Sequence, residues 1–254
     1  MQNEKPLIIK NMLSRHSFRV RSYEADNNNK LKISSVFNFM QVAAGLNADR
    51  LGFGYEDLLE KGYFWVLSRV ILNWQGNISF DEEITVETFP KGVDKLFALR
   101  DFNIFSATGD KIGKATTAWL LMELKTLRPV LIRKESFELP KAGIPPAIAE
   151  VPGKIDEAEM KSLIAERRVV YSDIDVNQHV NNAKYLEYVF DALSSDLRSQ
   201  LKNFRMQINY IRELKIGEAI RIYHGTIQDQ KERHYLEALN EDGHRIFQCT
   251  IILQ

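Results

Sequence analysis

Between Tyr171 and Phe190 the chain reads YSDIDVNQHVNNAKYLEYVF, and Asp173, Asp175, Asn177, His179, Asn181 and Asn182 crowd into its first part, just ahead of an amphipathic run. His179 stands two residues from Asn177 and four from Asp175. That spacing combines a group able to move protons near neutral pH with a carboxylate and an amide donor. At a helix entrance, where the first N–H groups lack intrahelical partners, such a cluster has the ingredients of a catalytic site. A solvated turn explains the same composition, because Asp and Asn favour turns. Both readings stay open on these residues alone.

The elements that must position the cluster follow a plan used twice. In the first half SFRVRSY (17–23) reads as extended, DNNNK as a polar loop, and SSVFNFMQVAAGLNADRLG (34–52) as a buried helix. Ser34 or Ser35 is its expected N-cap, and Gly52 its end. Four β-like runs follow: YFWVLSRVILNW, EEITVETFP, LFALRDFNIFS and KIGKATTAWLLMEL. In the second half RRVVYSD is extended, NNAKYLEYVFDAL helical, and NFRMQINYIREL, EAIRIYHGTIQ, RHYLEALN and HRIFQCTIIL are strand-like. The expectation is an α+β chain made of a tandem repeat, each helix burying its apolar face against a curled antiparallel sheet. The expected units are 1–128 and 166–254, joined by a proline-interrupted linker at 129–165 in which DEAEMKSLIAE reads as a short exposed helix.

The bulk numbers narrow the function classes. With 254 residues the chain can bury a large core, and 34 basic against 34 acidic residues give no global field that would favour nucleic acid or a membrane surface. No apolar run approaches the ~20 residues that span a bilayer, and the N-terminus lacks a signal-peptide core, so a cytoplasmic location is expected. Cys249 is the single cysteine, which excludes an intrachain disulfide; in RIFQCTIIL it reads as a packed strand residue. His16, His224, His234 and His244 lack ligand-spaced companions in sequence, so no metal site is expected.

The run DIDVNQHVNNAKYLEY, followed by NYIREL, resembles the acyl-acyl carrier protein thioesterase family of plant plastids and bacteria. FWVLSRV, GKATTAWLLMELKTLRPV and the early VRSYE are similar to that family too, so the likeness runs through almost the whole chain. It implies a tandem (double) hotdog fold, with each half a long buried helix wrapped by an antiparallel sheet. It also implies hydrolysis of an acyl-acyl carrier protein to free fatty acid. Carried over by position, the implied catalytic residues are Asp175, Asn177, His179 and Glu213. Plant members commonly have a cysteine after that glutamate; here it is Leu214, so a cysteine nucleophile is not available at that position.

On that resemblance Asn177, His179 and the N–H groups at the helix entrance hold the carbonyl oxygen. Glu213 activates water and Asp175 orients His179, with covalent attack by Asp175 as the alternative. The first-half loop EADNNNKLKISS has no histidine, so only the second half is expected to be catalytic. The first half is then free to shape an acyl pocket with Phe39, Met40, Ala43 and Trp119, residues whose spacing fits plain core equally well. Hydrolysis of this kind needs no cofactor. Arg128, Arg133, Lys134, Arg167, Arg168 and Lys184 are candidates for docking an acidic carrier protein, and a homodimer is compatible with the sequence. The rival readings are an acyl-CoA thioesterase, a hotdog hydratase or dehydratase, and a non-catalytic acyl-binding module.

Overall fold

The computed structural model describes residues 12–132, 143–228 and 232–254. The chain divides into two compact units, Met1–Ser68 with Asn77–Pro152 and Arg69–Gly76 with Gly153–Gln254.

The first unit opens with strand β1 (Ser14–Arg19) and helix α1 (Ile33–Arg50), then a one-turn-and-a-half helix α2 (Tyr55–Glu60). Strands β2 (Tyr63–Trp74), β3 (Glu83–Asp94), β4 (Phe97–Ser106) and β5 (Lys111–Glu123) follow, in the order β1-β3-β4-β5-β2. The four β-like runs of the sequence thus become four strands, and β1, β3, β4 and β5 pair antiparallel. The helix forms because Val36, Phe37, Phe39, Met40, Ala43, Ala44 and Ala48 all turn inward. It packs on β1 and β3, with Phe39 stacked on Phe18 at 4.6 Å. Full burial of each Val, Phe or Met side chain among them stabilises the unit by ~1.5–3 kcal/mol, and of each alanine by less.

The expected N-cap is corrected. Helical geometry begins at Ile33 with Lys32 as the capping residue, and Ser35 Oγ donates to the Glu24 carbonyl at 3.2 Å from inside the helix. The helix starts early because the Lys32 N–H is tied to Glu24 O and the Leu31 N–H to Ile78 O, which fixes the entry of the chain. Gly52, at φ 77°, follows the helix in the left-handed conformation that favours glycine.

The second unit comprises strand β6 (Lys161–Arg168), helices α3 (Asn182–Ala192) and α4 (Ser195–Gln200), and strands β7 (Phe204–Tyr210), β8 (Ala219–Gln228), β9 (Glu232–Asn240) and β10 (Arg245–Leu253). Their order from the end of β2 is β7-β10-β9-β8-β6, antiparallel throughout. Phe204, Met206 and Ile208 alternate inward from β7, as Phe247, Cys249 and Ile251 do from β10. Each unit is a hotdog, and the chain is a tandem hotdog.

The stretch read as an exposed helix is instead partly strand. Residues Lys161–Arg168 pair with β8 at the edge of the sheet, through a bulge between Leu163 and Ala165. Helix-forming composition is a weak preference, and hydrogen bonding to an open sheet edge overrides it here. Much of the stretch read as linker is also fastened. Asp101 Oδ2 accepts the Ala147 N–H at 2.8 Å in the first unit, and Gln207 and Asn209 donate to the Gly153 carbonyl at 2.8 and 3.0 Å in the second.

Candidate active site

The two units build their loop-to-helix passages in the same way. In the second, a 3-10 turn (Tyr171–Asp173) leads into a bridge between Ile174 and Val180. The loop inside it closes with Asp175 N–H donating to His179 O at 3.0 Å and Gln178 N–H to Asp175 O at 3.0 Å. In the first, a 3-10 turn (Ser22–Glu24) leads into the Ala25–Leu31 bridge, closed by Asp26 N–H to Lys30 O at 2.7 Å and Asn29 N–H to Asp26 O at 3.1 Å. Asn29 and Gln178 even share a left-handed φ, 62° and 63°. The loops are then anchored alike: Leu31 N–H donates to Ile78 O at 2.8 Å, and Val180 N–H to Leu214 O at 3.0 Å.

This correspondence sorts scaffold from chemistry. Asp175 Oδ1 accepts the Asn177 N–H at 2.8 Å, and Asp26 Oδ1 accepts the Asn28 N–H at the same distance. Asp175 and Asn177 therefore recur in the first unit as Asp26 and Asn28, where they shape a turn. Lys30 stands where His179 stands, and Asn77, preceding Ile78, stands where Glu213 precedes Leu214. Only the second unit has the histidine and the glutamate.

These two side chains meet. His179 Nε2 lies 3.3 Å from Glu213 Oε1, with 34% and 62% of the side chains exposed. The anchor at Leu214 produces the encounter, because Val180 follows His179 and Leu214 follows Glu213. Leu214 itself is buried, and its N–H donates to Tyr185 Oη at 3.2 Å. The glutamate is thus no isolated surface residue between Arg212 and Lys215. The imidazole is close to a proton acceptor and partly open to solvent, and Asn177, two residues earlier in the loop, is exposed.

The helix entrance contributes less than its sequence suggests. Asn181 caps α3 by accepting the Ala183 N–H on its side chain at 2.8 Å. The Asn181 N–H is bound to Asp173 O and the Lys184 N–H to Asn181 O. Those backbone N–H groups at the helix entrance are therefore engaged within the protein. Asp175 reaches His179 through the main chain, and its carboxylate is taken up by Asn177.

The remaining predicted residues fall as follows. Phe39, Met40 and Ala43 are buried on α1 in the first unit, Ala43 completely. Trp119 is half-buried on β5, its Nε1 donating to Thr117 Oγ1 at 2.8 Å. Among the docking candidates, Arg167 pairs with Asp191 at 3.3 Å and Lys184 with Glu187 at 2.8 Å, while Arg128 and Arg168 are exposed. Arg133 and Lys134 lie outside the described residues. Cys249 is fully buried, and burial pushes its thiol well up, away from a reactive thiolate. His224 and His234, unremarkable in sequence, meet across β8 and β9 with Nε2 and Nδ1 3.2 Å apart. Among the described residues no group of three or more His, Cys, Asp or Glu side chains is arranged to hold a metal ion. No helix among them is long and apolar enough to cross a membrane.

Sequence reasoning missed the Tyr185–Leu214 contact. Tyr185 reads as one more apolar position of an amphipathic helix; the available signal is that a buried phenol needs a hydrogen-bond partner.

Comparison with known proteins matches residues 11–139 to the acyl-ACP thioesterase N-terminal domain and residues 156–254 to the acyl-ACP thioesterase C-terminal domain. A palmitoyl-acyl carrier protein thioesterase of Arabidopsis thaliana chloroplasts is 27% identical over 221 residues, covering 80% of this chain and 52% of that protein. An oleoyl-acyl carrier protein thioesterase of the same plant is 25% identical, covering 81% and 61%. The chain spans about half the length of the curated relatives it matches first. Among solved structures, an acyl-ACP thioesterase from Bacteroides thetaiotaomicron superposes with a TM-score of 0.82 at 25% identity, over 97% of this chain and 99% of that one. A 12:0-ACP thioesterase from Umbellularia californica shares the fold with a TM-score of 0.74 at 22% identity, over 95% and 94%.

Proposed function

Because the chain belongs to the acyl-ACP thioesterase family, we propose that it hydrolyses the thioester of an acyl-acyl carrier protein and releases the free fatty acid. The observation that carries this reading is the pairing of His179 with Glu213 on a loop scaffold whose copy in the first unit has Lys30 and Asn77 instead.

In the proposed reaction Glu213 takes a proton from a water molecule, whose oxygen attacks the thioester carbonyl. The His179 Nε2–H, bridged to Glu213 before substrate arrives, and the Asn177 amide donate to the carbonyl oxygen as negative charge grows on it. Collapse of the tetrahedral intermediate breaks the carbon–sulfur bond. The departing thiolate recovers the proton from Glu213, so acid, thiol and unchanged enzyme result. Asp175 keeps the loop closed so that His179 faces Glu213. Asp175, Asn177, His179 and Glu213 come from one chain, so a homodimer is not needed for this chemistry. Phe39, Met40, Ala43 and Trp119 are our candidates for the acyl pocket, and the exposed Arg128 and Arg168 for contact with an acidic carrier protein. We place the reaction in the cytoplasm.

The test is release of thiol from lauroyl- and palmitoyl-carrier protein, with the corresponding coenzyme A esters and a 2-enoyl thioester in parallel. Faster turnover of the carrier-protein substrates supports the proposal. Preference for the coenzyme A esters contradicts the carrier protein as substrate, reversible hydration of enoyl chains points to a hydratase, and binding without turnover points to an acyl-binding module.

A further inference from the structure

The comparison of the two units extends from the loops into the helices behind them. Lys32 N–H donates to Glu24 O and Asn181 N–H to Asp173 O, so α1 and α3 begin in register at Ile33 and Asn182. The fourth residue of α1 is then Val36, and the fourth of α3 is Tyr185. Both are buried, yet they do different things. Val36 offers hydrocarbon only. Tyr185 carries a hydroxyl that accepts the Leu214 N–H at 3.2 Å, while its ring sits edge-on against Tyr188, Tyr210 and Phe247 at 5.5–6.1 Å between centroids. The neighbouring Tyr210 hydroxyl donates to Asn182 O at 3.0 Å, fastening the first turn of α3 to β7.

The peptide between Glu213 and Leu214 is therefore held by its nitrogen to α3, while the Leu214 carbonyl holds the catalytic loop through the Val180 N–H. Of the many differences between the repeats, three meet around the Glu213–Leu214 peptide: His179 for Lys30, Glu213 for Asn77 and Tyr185 for Val36. A valine at Tyr185 would leave the Leu214 N–H buried without this acceptor. Burial, with the charges of Glu213, Glu218 and Asp175 adding to it, pushes the Tyr185 phenol well up, so its oxygen stays a neutral acceptor over the working range.

We propose that Tyr185 is a positioning residue of the active site: its hydroxyl fixes the Glu213–Leu214 peptide and so holds the Glu213 carboxylate beside His179. The proposal rests on the reading of Glu213 and His179 as the reacting pair, and it adds a third residue that distinguishes the catalytic unit from its copy.

The test is Tyr185→Phe, which deletes one oxygen and keeps the ring cluster. Two readouts are needed. Amide hydrogen exchange at Leu214 is expected to be at least ~10-fold faster in the variant, since its acceptor is gone. Turnover of an acyl-carrier protein is expected to fall ~10-fold in kcat with KM within about twofold. In a Glu213→Gln background the same substitution should cost less than about twofold further, because Tyr185 acts through Glu213. Unchanged exchange at Leu214 overturns the proposal whatever the turnover. An equal loss of kcat in both backgrounds overturns it as well, reducing Tyr185 to core packing. Absence of thiol release by the wild-type chain contradicts the hydrolase reading instead, and the grip of Tyr185 on Leu214 is then judged by exchange alone.

Discussion

Lys30 occupies in the first unit the loop position that His179 occupies in the second: each gives its carbonyl to the N–H of the aspartate four residues earlier, at 2.7 and 3.0 Å. Their side chains then part. Lys30 Nζ donates to Ser79 Oγ at 3.2 Å, whereas His179 Nε2 meets Glu213. One backbone design thus carries two different side-chain sets, and the first-unit loop, with Lys30 and Asn77 at the positions of His179 and Glu213, is a built-in control for the second.

The control makes the role of Asp175 measurable. Asp26→Ala and Asp175→Ala remove corresponding turn acceptors, Asp26 Oδ1 taking the Asn28 and Lys30 N–H groups and Asp175 Oδ1 that of Asn177, so Asp175→Ala should cost ~1 kcal/mol of stability and Asp26→Ala at least as much. Only Asp175→Ala should lower kcat, by at least ~10-fold, because only its loop carries the histidine proposed to take part in the reaction. Thermal melts and steady-state kinetics on both variants check this. A comparable kcat loss from Asp26→Ala would mean that the first-unit loop takes part in the chemistry.

Ala43 is completely buried on α1. Ala43→Phe should disfavour long acyl chains relative to short ones in kcat/KM, each excluded methylene being worth up to ~0.8 kcal/mol of burial. Overpacking a solid core costs ~1–3 kcal/mol instead. An unchanged selectivity ratio together with a large drop in Tm would show Ala43 to be core and remove it from the pocket.

The elements that were legible in the sequence are those with strong periodicity or strong punctuation. YFWVLSRVILNW and its three successors alternate around turn residues and became β2 to β5, and α1 follows its apolar spacing to Gly52. Short elements were not legible. The α2 helix depends on Gly54 and Asp57, where Asp57 accepts the Gly54 N–H at 3.0 Å and a β-carbon at Gly54 would collide with Asp49. The α4 helix likewise starts on the Ser194 cap. In β6 the deciding partner, β8, lies far along the chain, so local composition pointed to the wrong element. At the site, the His179 loop was visible from its residue types. The Glu213 contact came from family resemblance, since it depends on a main-chain anchor that no local pattern reveals.

Cys249→Ser should leave kcat within about twofold and lower stability by ~1 kcal/mol, because the residue packs between β7 and β9 in a fully buried position. Its thiol, pushed up by burial, should also resist iodoacetamide in the native protein. Loss of hydrolysis on alkylation without unfolding would contradict the carboxylate mechanism.

Glu237 ties the second unit to acid stability. Burial alone would raise its carboxyl, but Lys161, Tyr235 and Arg245 overcome that and hold it below the usual carboxylate range. The native state therefore binds fewer protons here than the unfolded chain, so this contribution is present above the unfolded value of about 4.3 and is lost as pH falls through the lower folded value. Glu237→Gln should destabilise at pH 7 by about 1–3 kcal/mol, below the fully buried case because Lys161 and Arg245 keep some contact with water and their ion pairs to Glu157. Its Tm should also fall less steeply than the wild type's on acidification. Parallel pH slopes for the two proteins would show that Glu237 is not the linked group.

The most direct measurement of the central claim is kcat for an acyl-carrier protein with Glu213→Gln and His179→Ala, each verified as folded, beside Lys30→Ala in the equivalent first-unit loop. The two second-unit substitutions should lower kcat by at least ~10²-fold, and Lys30→Ala should stay within about twofold of wild type. Near-normal turnover in a folded Glu213→Gln or His179→Ala variant would contradict that claim.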